Sequence, residues 1–311
     1  MKLCVIGVGG VGGYFGGKLA YAFQDRPDSS VEIYFVARGK HLEMIKRDGL
    51  ILKTSDPQMI NCKPLLATDH FEELIDIDVF IIGVKGYDLD EVSRSLSNKV
   101  VNQTIILPLL NGVDIRERLR NHIKSGIILP ACVYVSSYIE EPGTVVQSGK
   151  PGRMILGPDP EHPDYHPVEL LRLLKRASII CDWEKDAHPA IWEKYIFIAS
   201  FGLVSARFDR TLGKIVEDHD LKNLVRKIME EIYQIAVAKK ISLPANVVED
   251  SIRKAQMFPR DTQTSLQRDI RQKKEKNELD LFGRTIIDQG MQLDIPTPVT
   301  KKIYDELLKL I

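Results

Sequence analysis

The sequence predicts an α/β protein in which a doubly wound parallel sheet forms an N-terminal domain and helices alone form a C-terminal domain. Short apolar, β-branched segments alternate with helix-forming segments in the first part of the chain. From His188 onward the strand signals disappear, and helical patterns punctuated by prolines follow. A chain of 311 residues is also long for one hydrophobic core. We therefore expect two domains, over residues 1–184 and 185–311.

The chain opens with an apolar strand that runs directly into a glycine-rich turn and then into a helix. In its G-x-G-x-x-G spacing, Gly7 allows the tight turn, Gly9 lets the backbone approach a phosphate, and Gly12 lets the helix lie close to the strand. Gly10 and Val11 add backbone N–H groups at the helix N-terminus, where the helix dipole favours an anion. A glycine-rich turn without a ligand is the alternative. The placement between strand and helix favours a Rossmann-type site for a dinucleotide.

The second strand is predicted at residues 31–36, after a polar loop at 24–30, and the sequence ARGK follows it. Many NAD sites carry a carboxylate at this strand end, which holds the ribose 2′-hydroxyl. Here Arg38, with Lys40 nearby, offers a guanidinium that can fork onto a 2′-phosphate. An exposed loop cation is the alternative interpretation of Arg38. The position therefore favours NADP over NAD.

Two polar side chains follow two further predicted strands. Lys85 comes after the apolar run at 78–84, and Asn111 comes after the next run at 103–109. Open α/β sheets bind ligands at the carboxyl ends of their strands, so we expect both residues to contact cofactor and substrate. Either one alone could be an ordinary loop residue. Beyond them, runs at 127–135, 144–147 and 153–156 are predicted to be antiparallel strands that close the same sheet.

The helical half carries a lysine in an apolar setting. Lys194 begins a mostly apolar helical segment that continues to Ala206, and residues 221–239 have a strong amphipathic pattern. A lysine in such a helix is costly unless it has a partner or a role, and near a ketone it could donate a proton to the developing oxyanion. A lysine that keeps its head in water is the alternative.

Composition excludes several classes of function. Lys plus Arg and Asp plus Glu both number 43, so the formal net charge of zero favours neither nucleic acid nor an anionic membrane as a partner. The four cysteines are scattered without metal-ligand spacing, so we expect no metal and no disulfide framework, and we expect Cys4 to be a small buried hydrophobe. No leader and no membrane span is expected, which fits a cytoplasmic enzyme. The sequence leaves the oligomeric state open, a homodimer included.

Taken together, the segments GVGGVGGYFGGKLA, VARGKH, VKGYDL, LNGV, PGTVVQSG, WEK, SLQRDI and NELD resemble the ketopantoate reductase (2-dehydropantoate 2-reductase) family along essentially the whole chain. The resemblance implies reduction of 2-dehydropantoate to pantoate with NADPH, on the pathway to pantothenate and coenzyme A. It implies that Arg38 binds the 2′-phosphate and that Lys85 and Asn111 hold cofactor and substrate. It further implies that Lys194 is the general acid, with Ser265 as a substrate contact.

By the same resemblance, Glu278 would orient ligand and lysine. The interval from SLQRDI to NELD looks one residue longer than the usual pattern, so Glu278 is assigned by its local motif. A second departure concerns the two positions one and two helical turns after Lys194, where the family usually has asparagines. Here these positions are Ile198 and Gly202. Their replacement removes two polar partners, each worth about 1–3 kcal/mol if a substrate group is left unpaired.

Three hypotheses follow. The first is an NADPH-dependent ketopantoate reductase. The second is a related reductase of another branched or bulkier 2-oxo acid, which Ile198 and Gly202 favour. The third is an NADP-binding sensor without turnover, which would bind NADPH but oxidise it with no 2-oxo acid.

Overall fold

A computed structural model describes residues 1–24, 30–55 and 59–311 of the chain, so most of the loop predicted at 24–30 lies outside the described residues. The described part divides into two compact units. The first unit contains Met1–Leu110 and Ile115–Ala187, and the second contains Asn111–Asp114 and His188–Ile311. The first is an α/β unit and the second is helical, which confirms the predicted fold class.

The strands and helices of the N-terminal unit follow in chain order. They are β1 (Lys2–Ile6), α1 (Gly10–Phe23), β2 (Glu32–Val36), α2 (Gly39–Asp48), β3 (Leu50–Lys53), β4 (Met59–Cys62), β5 (Leu66–Thr68), β6 (Val79–Ile82), α3 (Leu89–Leu96), β7 (Ile105–Pro108), α4 (Ile115–Arg120), β8 (Ile127–Ile128), β9 (Ala131–Glu141), β10 (Thr144–Leu156), α5 (Val168–Arg176) and β11 (Ile180–Trp183).

The main sheet is parallel and has the strand order β5-β2-β1-β6-β7-β8. Its central strands are apolar and buried on both faces, as parallel strands between helices usually are. Numbered along the chain within this sheet, the order is 3-2-1-4-5-6, that of a Rossmann fold. The order reverses between β1 and β6, and the crevice at such a reversal is where open α/β sheets bind dinucleotides.

The prediction that the later strands close this sheet antiparallel is wrong. Only Ile127–Ile128 joins it, and it pairs parallel to β7. The strands β9 and β10 form an antiparallel hairpin in a second sheet of order β11-β10-β3-β4, in which β9 pairs with β10. Pro130 has no N–H to donate and separates β8 from β9, which the sequence had presented as one run. In β10, by contrast, the glycines are absorbed by a shift of register between Ser148 and Arg153.

The helix α1 packs against both sheets through its glycine face. A Cβ built on Gly16 would lie 2.9 Å from Val5 Cγ2 in the main sheet. One built on Gly13 would lie 2.7 Å from Val145 Cγ2 in the second sheet. Both distances are shorter than real Cβ contacts, so larger side chains here would force the helix away from the strands. Cys4, in β1 beneath this helix, is fully buried as predicted, and burial raises the pKa of its thiol.

A buried carboxylate orders the far edge of the main sheet. Asp159 is fully buried and accepts a hydrogen bond from the N–H of Ile128, at 2.9 Å. It also pairs with Arg116 at 3.1 Å and with Arg120 at 3.0 Å. Burial alone would raise the pKa of Asp159, but the N–H groups of Ile128 and Glu161, together with its cationic partners, hold it below its usual value. The carboxylate thereby anchors β8 to α4.

The helical unit is built around α6 (His188–Phe208). The remaining helices are α7 (Leu212–Glu217), α8 (His219–Ala238), α9 (Val247–Ala255), α10 (Ser265–Arg271), α11 (Thr285–Gln292), which a π-helical turn at Asp280–Arg284 precedes, and α12 (Pro298–Leu308). Helix α6 packs against α8, α9, α10 and α12, which explains why it is apolar nearly all round. Across the described residues, no helix combines the length and apolar character that crossing a membrane requires.

One imidazole, on α2, links that helix to two loops of the N-terminal unit. The N–H of Gly143, in the turn between β9 and β10, donates to Nδ1 of His41 at 2.9 Å, and Nε2 lies 2.7 Å from the carbonyl oxygen of Val8. A backbone N–H can only donate and a carbonyl can only accept, so both bonds require the neutral ring with its proton on Nε2. Burial lowers the pKa of His41, and the bond to Val8 offsets part of that effect.

We expect this imidazole to make stability depend on pH. Below the ordinary histidine pKa of 6.5 the unfolded chain binds a proton that the folded ring resists, so the free energy of unfolding should fall as the pH drops. The contribution of one group is at most about 1.4 kcal/mol per pH unit. Urea titrations between pH 7.5 and about 5 should show a shallower decline for His41→Gln, whose amide can make both hydrogen bonds without titrating. Identical slopes for the two proteins would contradict the assignment.

Candidate functional site

The glycine turn between β1 and α1 has two glycines that the protein itself requires. Gly7 has φ +84°, and its N–H donates to the carbonyl oxygen of Val36 at 2.9 Å. A Cβ on Gly7 would lie 2.6 Å from Val84 Cγ1. A Cβ on Gly12 would overlap the carbonyl oxygen of Gly7, so the helix can start this close to the strand only with glycine there. These two positions have the structural roles that the motif predicts.

Gly9 is different, because the protein has no steric need for it. Its backbone is extended at φ −83°, which any residue adopts, and none of the described heavy atoms lies within 4 Å of a Cβ built on it. Gly9 is also the N-cap residue of α1, directly before the first free N–H groups of the helix. The open space at this helix N-terminus fits a phosphate that approaches the backbone closely. The turn therefore suits the pyrophosphate of a dinucleotide.

The fold also requires glycine at the neighbouring position, Gly10. A Cβ on Gly10 would overlap the carbonyl oxygen of Ser137, so strand β9 passes too close to the start of α1 for any side chain. Val11 follows in the first turn of the helix and is half-buried. Sequence reasoning missed this constraint, because it depends on a strand more than a hundred residues later.

Arg38 lies just after β2, at the N-cap position of α2, with its side chain 55% exposed. Its Nη2 lies 3.2 Å from Oε1 of Glu91 in α3. Lys40 is also exposed. The guanidinium is thus accessible at the end of β2, where the sequence analysis predicts the 2′-phosphate of NADP.

Lys85 is exposed and follows β6, ahead of a short 3₁₀ turn at Gly86–Asp88. It belongs to the N-terminal unit, whereas Asn111 groups with the helical unit. The expectation that both residues contact the same ligand therefore stays a prediction.

The helical unit brings two predicted site residues together. Lys194, on α6, is half-buried, and its Nζ donates to Oδ1 of Asn111 at 2.6 Å. The two residues are 83 positions apart in the sequence. The amide is neutral, so this bond orients the ammonium group without cancelling its charge. An oriented, partly desolvated ammonium can hold a developing oxyanion and give it a proton.

Beyond Lys194, the same face of α6 turns apolar. Ile198 is half-buried and Gly202 is buried. A Cβ on Gly202 would lie 3.5 Å from Phe282 and 4.0 Å from Leu266, both ordinary contact distances. Glycine is therefore not required there by packing. Glycine in a helix costs about 1 kcal/mol relative to alanine, so neither helix stability nor packing explains Gly202.

Two further predicted site residues of this unit, Ser265 and Glu278, lie at the start of α10 and shortly before the π-helical turn. Ser265 is half-buried at the first residue of α10. Glu278 is only 5% exposed and lies two residues before the π-helical turn. A carboxylate so buried is costly unless it is paired, so the position is consistent with a role in orienting other groups. Their assigned roles stay predictions.

The sequence prediction did not include the residue that caps the N-terminus of α10. Thr264 is the N-cap: its Oγ1 accepts from the N–H of Gln267 at 3.1 Å and lies 2.6 Å from Oγ of Ser205 on α6. The pattern T-x-x-Q, typical of a capping box, could have identified it. In the described part of the chain, no group of three or more His, Cys, Asp or Glu residues could hold a metal ion.

Comparison with known proteins agrees with this geometry. The profile described as "Ketopantoate reductase PanE/ApbA" matches residues 3–161, and its C-terminal counterpart matches residues 186–310. The uncharacterized oxidoreductase YkpB of Bacillus subtilis (strain 168) is 26% identical over 99% of this chain and 98% of its own length.

Two crystal structures are similar over nearly their full lengths. The PanE/ApbA family ketopantoate reductase from Ralstonia eutropha JMP134 has a TM-score of 0.87 at 25% identity, over 100% of this chain and 98% of its own. The 2-dehydropantoate 2-reductase from Porphyromonas gingivalis W83 has a TM-score of 0.84 at 27% identity, over 99% of both chains.

A Rossmann-like sheet with a glycine turn at its switch point, followed by a helical unit that carries an oriented lysine, defines a pyridine-nucleotide-dependent oxidoreductase. The matches to both halves of the chain make the assignment more specific. The chain belongs to the ketopantoate reductase family.

Alanine substitutions should separate the two kinds of glycine. Gly9→Ala should fold with a melting temperature close to that of the parent, because its methyl group enters open space, but should bind NADPH at least about 10-fold more weakly if the phosphates approach there. Gly12→Ala should lower the melting temperature markedly, because its methyl group overlaps the Gly7 carbonyl. Thermal unfolding and fluorescence titration with NADPH measure the two effects. Unchanged NADPH affinity in Gly9→Ala would remove the turn from the binding site.

Proposed function

We propose that the protein reduces 2-dehydropantoate to pantoate with NADPH, a step in the biosynthesis of pantothenate and coenzyme A. The observation that carries the proposal is the hydrogen bond from Lys194 to Asn111, which orients an ammonium group on a half-buried helix face. Membership of the ketopantoate reductase family supports it. So does the similarity to the enzyme from Porphyromonas gingivalis that is named 2-dehydropantoate 2-reductase.

The chemistry needs a hydride and a proton. Bound NADPH would supply the hydride, from C4 of its nicotinamide to the keto carbon. Lys194 would give its proton to the ketone oxygen as that oxygen becomes anionic, and would recover a proton from solvent through its exposed part. Asn111 would keep the ammonium aimed at the oxygen, and Glu278 would help to orient lysine and substrate.

The remaining site residues would bind the two molecules. Gly7, Gly9, Gly10, Val11 and Gly12 would form the turn around the pyrophosphate. Arg38 would bind the 2′-phosphate, as its accessible guanidinium allows. Lys85, Asn111 and Ser265 would contact the substrate. A cytoplasmic location and a homodimer stay predictions.

A second candidate substrate is a branched 2-oxo acid whose side chain is entirely hydrocarbon. The observation that favours it is the apolar face beyond Lys194, which carries Ile198 and Gly202, with Leu266 and Phe282 beside Gly202. The pantoyl hydroxyl would find no partner on these four residues, at a cost of about 1–3 kcal/mol. A third candidate, an NADP-binding sensor, is favoured only if NADPH binds and no 2-oxo acid oxidises it.

Replacement of the lysine tests the reaction. Lys194→Ala should lower kcat for NADPH oxidation with 2-dehydropantoate by about 10²–10⁴-fold, because the general acid is lost. Its dissociation constant for NADPH should change little. The matched control is Lys185→Ala, an exposed lysine shortly before α6, which should keep the parent rate. A normal kcat in Lys194→Ala would eliminate the proposed acid.

Substrate choice is tested by a pair of acids that differ by one oxygen atom. Trimethylpyruvate is 2-dehydropantoate without its terminal hydroxyl, so the ratio of the two kcat/KM values measures recognition of that group. A parent ratio that favours 2-dehydropantoate supports the first candidate, and the reverse supports the second. The double variant Ile198→Asn, Gly202→Asn should shift the ratio toward 2-dehydropantoate by about 10-fold, the equivalent of one hydrogen bond. No shift would mean that this face does not contact the substrate side chain.

A further inference from the structure

An ion pair joins the two segments that flank the glycine turn. Arg38 follows β2, and Glu91 is the third residue of α3, which follows β6. Strands β2 and β6 are the two neighbours of β1 in the main sheet. The pair of Arg38 and Glu91, 3.2 Å between Nη2 and Oε1, therefore connects both sides of the strand whose end carries the glycine turn. This is the edge at which a dinucleotide binds in such a sheet.

Both side chains of the Arg38–Glu91 pair are accessible to a ligand. The side chains are 55% and 63% exposed, and ion pairs this accessible to water contribute little to stability. The adjacent acid on the same helix is engaged elsewhere, since Asp90 pairs with Arg94 and with His122. Glu91 is thus the acid of this helix turn whose carboxylate reaches the guanidinium.

A guanidinium and a carboxylate suit different riboses. A guanidinium forks onto a 2′-phosphate, whereas a carboxylate accepts a hydrogen bond from a 2′-hydroxyl. An ionised carboxylate has about four lone-pair sites, so Glu91 can keep its bond to Arg38 and still accept from a hydroxyl. A 2′-phosphate bound to Arg38 instead stands close to the negative charge of Glu91, which opposes binding.

We infer that Glu91 is a specificity-determining residue for the cofactor, and that the Arg38–Glu91 pair lets the protein bind NADH as well as NADPH. Arg38 favours the phosphorylated ribose and Glu91 favours the unphosphorylated one. This rests on the proposed function only in that the ligand is a nicotinamide dinucleotide. The sequence pointed to Arg38 alone and to NADP alone, because Glu91 lies 53 residues later.

Equilibrium binding of both nucleotides to the full chain tests the inference. Dissociation constants for NADPH and NADH are measured by fluorescence titration at one ionic strength, without substrate. Glu91→Gln should bind NADPH roughly 2- to 5-fold more tightly, the range that one exposed charge allows, and should bind NADH more weakly. Arg38→Ala should weaken the binding of NADPH by at least about 10-fold, because a charge-assisted hydrogen bond is lost, and should leave the affinity for NADH nearly unchanged.

The matched control is Asp90→Asn, which removes the same charge one residue away and should leave the ratio of the two constants unaltered. At higher salt concentration, the gain in NADPH affinity that Glu91→Gln has over the parent should shrink, because exposed charges are screened. Weaker NADPH binding in Glu91→Gln, or an unchanged ratio, would overturn the inference while leaving the reductase intact. Failure of the parent to bind either nucleotide would overturn the inference and the proposed function together.

Discussion

The close approach of α1 to the strands around it is the constraint on which the N-terminal unit depends. Gly12 lies against the Gly7 carbonyl, Gly16 against Val5 and Gly13 against Val145, and at each contact a Cβ would be too close. The helix is therefore held between two sheets rather than laid on one. The same packing holds its N-terminus at the end of β1, so the backbone N–H groups are oriented for an anion before any ligand arrives. The orientation of these N–H groups is therefore a consequence of packing.

The helical unit separates polar from apolar side chains along one face of α6. At one end, Lys194 and Asn111 form a polar pair in which a neutral amide accepts from the ammonium and orients it. At the other end, Gly202 contributes no side chain and Phe282 and Leu266 lie at contact distance from its Cβ position. Small-molecule sites commonly combine a few placed polar groups with an apolar lining. The proposed 2-oxo acid, with a charged end and a hydrocarbon branch, would match that division.

The fold could be predicted where it depends on local sequence patterns. The prediction was wrong where the fold depends on pairing between strands that are distant in the chain. The buried strands β1, β6 and β7 and the helices α6 and α8 were evident as apolar runs or periodicities. The second sheet was not, because the residues of a strand indicate which face is buried but not which edge it joins. The apolar run at 127–135 is divided at Pro130, which has no N–H to donate: β8 before it joins the main sheet and β9 after it joins the second. The runs at 144–147 and 153–156 were predicted as separate strands, but both belong to β10, which continues through a register shift between Ser148 and Arg153.

By itself the sequence determined the glycine spacing, the succession of strands and helices, and the candidate lysine, because each depends on neighbouring residues. Only the tertiary structure decided which distant groups meet. It places Asn111 on Lys194 across 83 positions, Glu91 on Arg38 across 53, and the Gly143 N–H on the ring of His41. Hydrogen bonds and ion pairs act over about 3 Å, and the distance between residues far apart in the chain is set by how the elements pack. The hydrogen-bond partners of these residues and the tautomer of His41 are therefore set by the folded chain.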